Sequence, residues 1–249
     1  MIENSIYTKK FEVNSINVNS NKRLGLFGIL GFLQDAASEH AQELGFGFDD
    51  MVVKNIFWVL IRQKVIMKHW PKWHDKVTVQ TWPKHFQGLY AYREFEIFID
   101  DEKIGECSTT WMILDGSSHR PIKSDFLNEV INPREDYSLD FNAAKVDVKG
   151  EFPWSHHFEV RNSDIDMNNH VNNTKYAQWI LDSIPFEYHK THVVDEFEIN
   201  FTSESFLGDT INCQNNIDHD KSELLFKGVR QSDGKMVFAA RILAKQIDK

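Results

Sequence analysis

Residues Ser163–Tyr176 read SDIDMNNHVNNTKY, a polar run set directly before Tyr176, Trp179, Ile180 and Ile184, whose spacing is helical. Asp166, Asn168 and His170 alternate, so in an extended segment their side chains would share one side. Asn172 or Asn173 suits an N-cap. That predicts a helix over 172–184 and sets His170 beside the helix's free amides and positive end. Such a place suits a developing oxyanion. The same residues also suit a plain turn, which Asn and Asp favour for reasons unrelated to chemistry. The run begins like a calcium loop, but its sixth position is Asn169 where Gly is needed and its twelfth is Lys175 where a bidentate Glu is needed. Calcium is therefore rejected.

Strand-like segments rich in Val, Ile, Phe and Thr follow this helix at 194–202, 210–215, 223–230 and 236–243. The same order is visible upstream. A long helix is predicted over Leu24–Leu44, with Phe27, Leu30, Leu33, Ala37, Ala41 and Leu44 three or four apart, and strands at 57–67, 76–82, 90–99 and 104–114 come after it. Phe11-Glu12-Val13 matches Phe158-Glu159-Val160 at an offset of 147 (158 − 11), which pairs Asn21 with Asn168 and Phe32 with Trp179. The DKVTVQ run at Asp75 resembles DTINCQ at Asp209 at an offset of 134 (209 − 75). An internal duplication is expected, each half one helix followed by four strands. The expected organisation is an N-terminal repeat over 1–125, a polar linker over 126–150 and a C-terminal repeat over 151–249, an α+β architecture in which a sheet wraps each helix.

Composition narrows the classes of function. The chain of 249 residues, 41% hydrophobic and 26% charged, has the balance of a soluble globular protein. Its net charge of −9 argues against general nucleic-acid binding, which needs a basic footprint. The longest apolar run, Leu24–Leu33, is far shorter than the roughly 18 residues of a membrane span, and the first residues lack an apolar signal core. Two distant cysteines, Cys107 and Cys213, indicate neither a disulfide scaffold nor a zinc knuckle, so a cytoplasmic location is expected. Walker, HExxH and GxSxG motifs are absent, and Gly25, Gly28 and Gly31 are spaced wrongly for a dinucleotide loop. No metal or cofactor is expected. One segment departs from the acidic average: Arg62, Lys64, Lys68, Lys72 and Lys76 face only Asp75, a surplus of four positive charges (5 − 1). It suits either an acidic partner or an edge strand protected by lysines.

With these features in view, the chain resembles the acyl-acyl-carrier-protein thioesterases. In that family a D-x-N-x-H-V-N-N segment precedes the helix of the second of two hotdog domains. Further resemblances are ELGFG after the first helix, WVLIR at Trp58–Arg62, WPKW at Trp70–Trp73, TWP at Thr81–Pro83, and Arg93-Glu94-Phe95. The resemblance implies a tandem (double) hotdog fold. It also implies hydrolysis of fatty acyl thioesters on acyl carrier protein, releasing free fatty acid and ending chain elongation.

Carried over residue by residue, the resemblance places the catalytic Asp, Asn and His on Asp166, Asn168 and His170, and the catalytic Glu on Glu204. Where a cysteine often follows that glutamate, this chain has Ser205, which excludes a thiol nucleophile there. Water is then the expected nucleophile, with His170 or Glu204 as base, Asn168 and the helix amides polarising the carbonyl, and Asp166 orienting Asn168 and its loop. At the same offset the first repeat has Asn19 and Arg23 opposite Asp166 and His170, so one active site per chain is expected. The resemblance gives the first repeat the acyl pocket, for which Phe27, Phe32, Phe57, Trp58 and Trp111 are candidates. Arg62, Lys64 and Lys68 share one parity and are candidates for docking the carrier, with Ile61, Val65 and Met67 expected on the core side. The partner expected is acyl carrier protein, and the chain would act as a monomer or homodimer. Competing readings are a hotdog thioesterase acting on coenzyme A esters and a non-catalytic acyl or carrier-protein binder.

Overall fold

Leu26–Glu43 form the helix α1 because Leu26, Ile29, Leu30, Leu33, Ala36, Ala37 and His40 line one buried stripe at spacings of three and four. The helix starts two residues later than the spacing predicts: Leu24 is bridged to Val18, and Gly25 is the cap. Gly28 allows a close approach, since a Cβ there would lie 2.6 Å from Leu24 Cδ1 and 3.1 Å from the Asn17 carbonyl. The computed structural model describes residues 6–123, 125–129, 131, 133–134, 136–217 and 222–247. The chain divides into two units, Met1–Ala143 and Ala144–Lys249.

In the first unit the elements run β1 (Tyr7–Glu12), α1, α2 (Phe48–Val53), β2 (Ile56–Met67), β3 (Lys76–Pro83), β4 (Tyr90–Ile99), β5 (Glu102–Asp115) and β6 (Pro121–Ile122). The antiparallel sheet has the order β1-β3-β4-β5-β2, with β6 added to β5. The second unit contains β7 (Trp154–Glu159), α3 (Asn173–Asp182), α4 (Phe186–Thr191), β8 (His192–Phe201), β9 (Thr210–Asn215), β10 (Glu223–Arg230) and β11 (Met236–Gln246). Its order, β7-β9-β10-β11-β8, is the same topology. Each unit is thus α+β, an antiparallel sheet with a helix against it, as the resemblance implies.

The reading of one helix followed by four strands needs a correction, since each unit opens on a further strand. β1 and β7 are short edge strands, the first half-exposed and the second mostly exposed, carrying Lys9, Lys10, His156 and His157, so their apolar alternation is faint. They carry the repeated Phe-Glu-Val runs. Phe11 pairs with Val77 and Phe158 with Ile211, so the offsets of 147 and 134 (211 − 77) meet in one cross-strand register. Phe11 stacks on Phe32 of α1 with ring centroids 4.3 Å apart, and Phe158 stacks on Trp179 of α3 at 6.0 Å. Tyr176 of α3 adds edge contacts to Phe201 and Phe238 of the sheet.

Parity along β4 explains the Arg93-Glu94-Phe95 run. Arg93 is buried, with Nη1 3.0 Å from His40 Nδ1 of α1 and donating to Thr81 Oγ1 at 3.2 Å. Its burial pushes the guanidinium down to about 9. Glu94 takes the opposite parity, fully buried. Its carboxylate accepts from Trp82 Nε1, Lys84 Nζ and the Leu139 amide at 3.2, 2.9 and 3.2 Å. Such partners offset the desolvation that an isolated buried charge would cost. The stretch expected as a linker, 126–150, is tied to β4 through the Leu139 amide, although 130, 132 and 135 lie outside the described residues. In the second unit Glu198 accepts from the Ala144 amide at 2.6 Å, and Asn200 bonds the Val146 amide at 2.7 Å and the Ala144 carbonyl at 2.8 Å.

Candidate active site

The run Asp166–His170 folds as a tight loop rather than an extended segment. Ile165 and Val171 form an antiparallel bridge, the Asp166 amide donates to the His170 carbonyl at 2.8 Å, and Asn169 turns the chain with φ +61°. Asn tolerates this left-handed conformation better than most residues. Asp166 Oδ1 accepts the amides of Asn168 at 2.8 Å and His170 at 3.4 Å, which fixes the loop from inside. The loop leads into α3, where Asn172 caps the helix by accepting from the Thr174 amide at 2.9 Å.

Glu204 arrives from the end of β8, on the turn that leads to β9. The Val171 amide donates to the Ser205 carbonyl at 3.1 Å, tying that turn to the loop. His170 Nδ1 and Glu204 Oε1 are thereby held 3.7 Å apart, with the two side chains 20% and 28% exposed. Both side chains are partly exposed, while the Glu204 Oε1 that faces the imidazole is itself buried. The ring of Phe206 stands edge-on to His170 with centroids 5.2 Å apart. Ser205 between them is fully buried.

This arrangement can do hydrolytic chemistry. An imidazole and a carboxylate 3.7 Å apart can take a proton from water, and Asn168, half-buried on the loop of His170, carries a carboxamide able to donate to a carbonyl. The helix amides are less available than the sequence suggests. Those of Asn172, Thr174 and Lys175 donate to the Asp164 carbonyl, the Asn172 side chain and the Asn172 carbonyl. This leaves the Asn168 carboxamide as the candidate donor to a carbonyl. Cys107 and Cys213 are buried free thiols, and burial pushes each up to about 12, far from a reactive thiolate at neutral pH.

Residues 4–133 match the model of the acyl-ACP thioesterase N-terminal domain, and residues 149–245 match that of the C-terminal domain. The chain belongs to the acyl-ACP thioesterase family. It is 28% identical over 224 residues to an oleoyl-acyl carrier protein thioesterase of Coriandrum sativum, covering 82% of this chain and 61% of the relative. The chain thus spans about half to three fifths of the length of the curated relatives it matches. Among solved structures, an acyl-ACP thioesterase from Bacteroides thetaiotaomicron superposes with a TM-score of 0.83 at 25% identity, covering 98% of this chain and 99% of the other. A 12:0-ACP thioesterase from Umbellularia californica superposes at 0.86 over 99% of this chain and all of the other, with 18% identity, and shares the fold. The fold is the tandem hotdog.

The other residues singled out from the sequence are scattered over this acyl-ACP thioesterase fold. Trp58 and Trp111 meet edge-on at 6.5 Å, beside a buried cluster that includes Phe46, Phe86, Leu44 and Met51. Phe32 stacks on Phe11, Phe57 meets His119 at 5.4 Å, and Phe27 is 41% exposed. Phe46 and Phe86 were missing from the sequence reading, because single aromatics in short loops carry no periodicity. Along β2 a bulge between Leu60 and Arg62 displaces Ile61, so the buried parity is Gln63, Val65 and Met67. This corrects the expectation that Ile61 lies on the core side. Arg62 is half-buried, the Lys64 ammonium lies 5.3 Å from the ring of Phe141, and Lys68 is exposed.

Proposed function

We propose that this chain hydrolyses fatty acyl thioesters carried on acyl carrier protein and so ends chain elongation. The observation that carries the reading is the His170–Glu204 pair, 3.7 Å apart, beside Asn168 on the loop that opens α3. Membership of the acyl-ACP thioesterase family supports the substrate class.

Water is the nucleophile. Its oxygen bonds to the thioester carbon while the His170–Glu204 pair receives its proton. The carbonyl oxygen takes up the electron pair and is stabilised by the Asn168 carboxamide. Collapse of the tetrahedral intermediate breaks the C–S bond, and the leaving thiolate takes a proton back from the pair. Acid and free carrier thiol result, with no cofactor consumed. Asp166 acts on the loop: it accepts the backbone amides that orient Asn168 and His170.

The acyl chain is assigned to the first repeat, 1–125, with the aromatic set Phe27, Phe32, Phe57, Trp58 and Trp111, and catalysis to the second repeat, 151–249. The Trp58–Trp111 contact is the best support within that set. Arg62, Lys64 and Lys68 are assigned to carrier docking, on the strength of a local positive surplus in an acidic chain. The working location is the cytoplasm, as a monomer or homodimer. Among the described residues no helix is long and apolar enough to cross a membrane.

Hydrolysis of matched acyl-carrier-protein and coenzyme A esters of graded chain length tests the reading, with wild type beside a triple charge reversal of Arg62, Lys64 and Lys68. The expectation is higher kcat/KM on the carrier-bound ester, and a several-fold rise in KM on that ester alone in the triple variant, weakening with salt. A higher kcat/KM of wild type on the coenzyme A series would move the substrate class to coenzyme A esters. Release of no thiol from either would leave a non-catalytic binder.

A further inference from the structure

Arg230 ends β10, 26 residues beyond Glu204, yet its guanidinium grips the turn that carries Glu204. Nη1 donates to the Glu204 carbonyl at 2.7 Å and lies 3.7 Å from Asp209 Oδ2. Nε and Nη2 fork onto Asp233 at 3.0 and 2.7 Å, which fixes the plane of the guanidinium. Asp209 in turn accepts from the Phe206 amide at 2.9 Å, and the Phe206 ring stands against His170. Two routes therefore run from one cation to the proposed catalytic pair, one through the Glu204 main chain and one through Asp209 and Phe206. The side chain of Arg230 is only 12% exposed, whereas its partner Asp233 lies at the surface.

The first repeat has no cation at the position of Arg230, although the carbonyl equivalent to that of Glu204, the Trp70 carbonyl, accepts from Arg23 Nη1 of the preceding loop at 3.3 Å. Ile211 pairs with Arg230 across β9 and β10, and Val77 pairs with Ile99 across β3 and β4. Since Val77 is the equivalent of Ile211, Arg230 corresponds to an isoleucine. What the second repeat adds is a guanidinium from the sheet that reaches both this carbonyl and Asp209, and it does so in the repeat that carries the carboxylate.

We propose that Arg230 is a positioning residue for hydrolysis: by holding the Glu204 carbonyl and, through Asp209, the Phe206 amide, it sets the Glu204 carboxylate against His170. The inference rests on the proposed hydrolysis at this pair. A carboxylate displaced by about 1 Å loses on the order of a hundredfold in rate, so a main-chain clamp of this kind has leverage on kcat.

The test compares wild type, Arg230→Met, Arg230→Lys and His170→Ala on an acyl-carrier-protein ester. It records kcat, KM, thermal melting and the long-range 15N–1H signals of the His170 imidazole at fixed pH. Arg230→Met is expected to lower kcat at least tenfold with KM within twofold, and to displace the His170 signals. Arg230→Lys, which restores a donor to the carbonyl, should recover most of the loss. A purely structural role would lower signal intensity at unchanged positions, and that result, or kcat within twofold of wild type, would overturn the proposal. So would a lysine variant no better than the methionine one. If Arg230→Met does not fold, Asp209→Asn is read in its place with the same expectations and the same overturning results. His170→Ala separates the two levels: full turnover in that variant removes the hydrolytic reading of the pair. An inactive His170→Ala beside a normal Arg230→Met removes only the positioning role.

Discussion

The chain contains the loop of the proposed active site twice. In the second repeat Asp166 Oδ1 accepts the amides of Asn168 and His170 at 2.8 and 3.4 Å; in the first, Asn19 Oδ1 accepts those of Asn21 and Arg23 at 2.9 and 3.3 Å. The residue before the last of each loop, Asn169 or Lys22, turns with φ +61° or +58°, and each loop closes on a bridge, Ile165 to Val171 or Val18 to Leu24. Even the tie to the neighbouring turn is shared, Val171 donating to the Ser205 carbonyl at 3.1 Å and Leu24 to the Pro71 carbonyl at 2.8 Å. At the offset of 134 (204 − 70), Glu204 corresponds to Trp70. Arg23, the counterpart of His170, donates to the Trp70 main-chain carbonyl at 3.3 Å, whereas His170 faces a carboxylate. The backbone device is thus a folding element, stable with either Asn or Asp at its head. In the proposed mechanism chemistry enters with two side chains, His170 and Glu204, set on a scaffold that the first repeat keeps without them.

If the difference between the repeats lies in those side chains, Glu204→Gln should be the most damaging neutral change. It keeps the shape and removes the carboxylate, and a loss of kcat of about 10²-fold or more is expected with an unchanged melting temperature. A loss under threefold in a steady-state assay would put proton transfer on His170 alone. Asp166→Asn converts the head of the second loop to the residue used by the first. Since Asn19 holds the same two amides, the loop should persist and kcat should fall only about tenfold, whereas Asp166→Ala should cost more and lower the melting temperature. An Asn variant as poor as the Ala variant, by kinetics and by melting, would show that the charge of Asp166 matters beyond its hydrogen bonds. The smallest effect is expected in the first repeat: Asn19→Asp combined with Arg23→His should leave turnover within twofold, because Trp70 supplies no carboxylate.

Much of this arrangement was legible in the sequence because it is periodic or repeated. The strands 90–99, 210–215 and 223–230 have the bounds that their apolar content predicts. Pairing Phe32 with Trp179 by offset matched two residues that stack on equivalent edge-strand phenylalanines. The edge strands themselves were not legible, since a half-exposed strand with lysines or histidines has little apolar alternation. The site was legible only in part. Alternation brought Asp166, Asn168 and His170 together for the wrong geometric reason, an extended segment, when an Asx-held turn does the work. Glu204 has no local signal that distinguishes it from a surface carboxylate; the family resemblance alone singled it out. Arg230 and Phe206 could not be read at all, because their relation to the pair is a product of tertiary contact between β10 and the turn after β8.

The most direct test is fatty acid release from an acyl-carrier-protein ester by wild type and His170→Ala, measured at equal folded concentration. The account predicts multiple turnovers by wild type and a fall of about 10²-fold or more in kcat for the variant with KM little changed. A His170→Ala protein that turns over at the wild-type rate would contradict it.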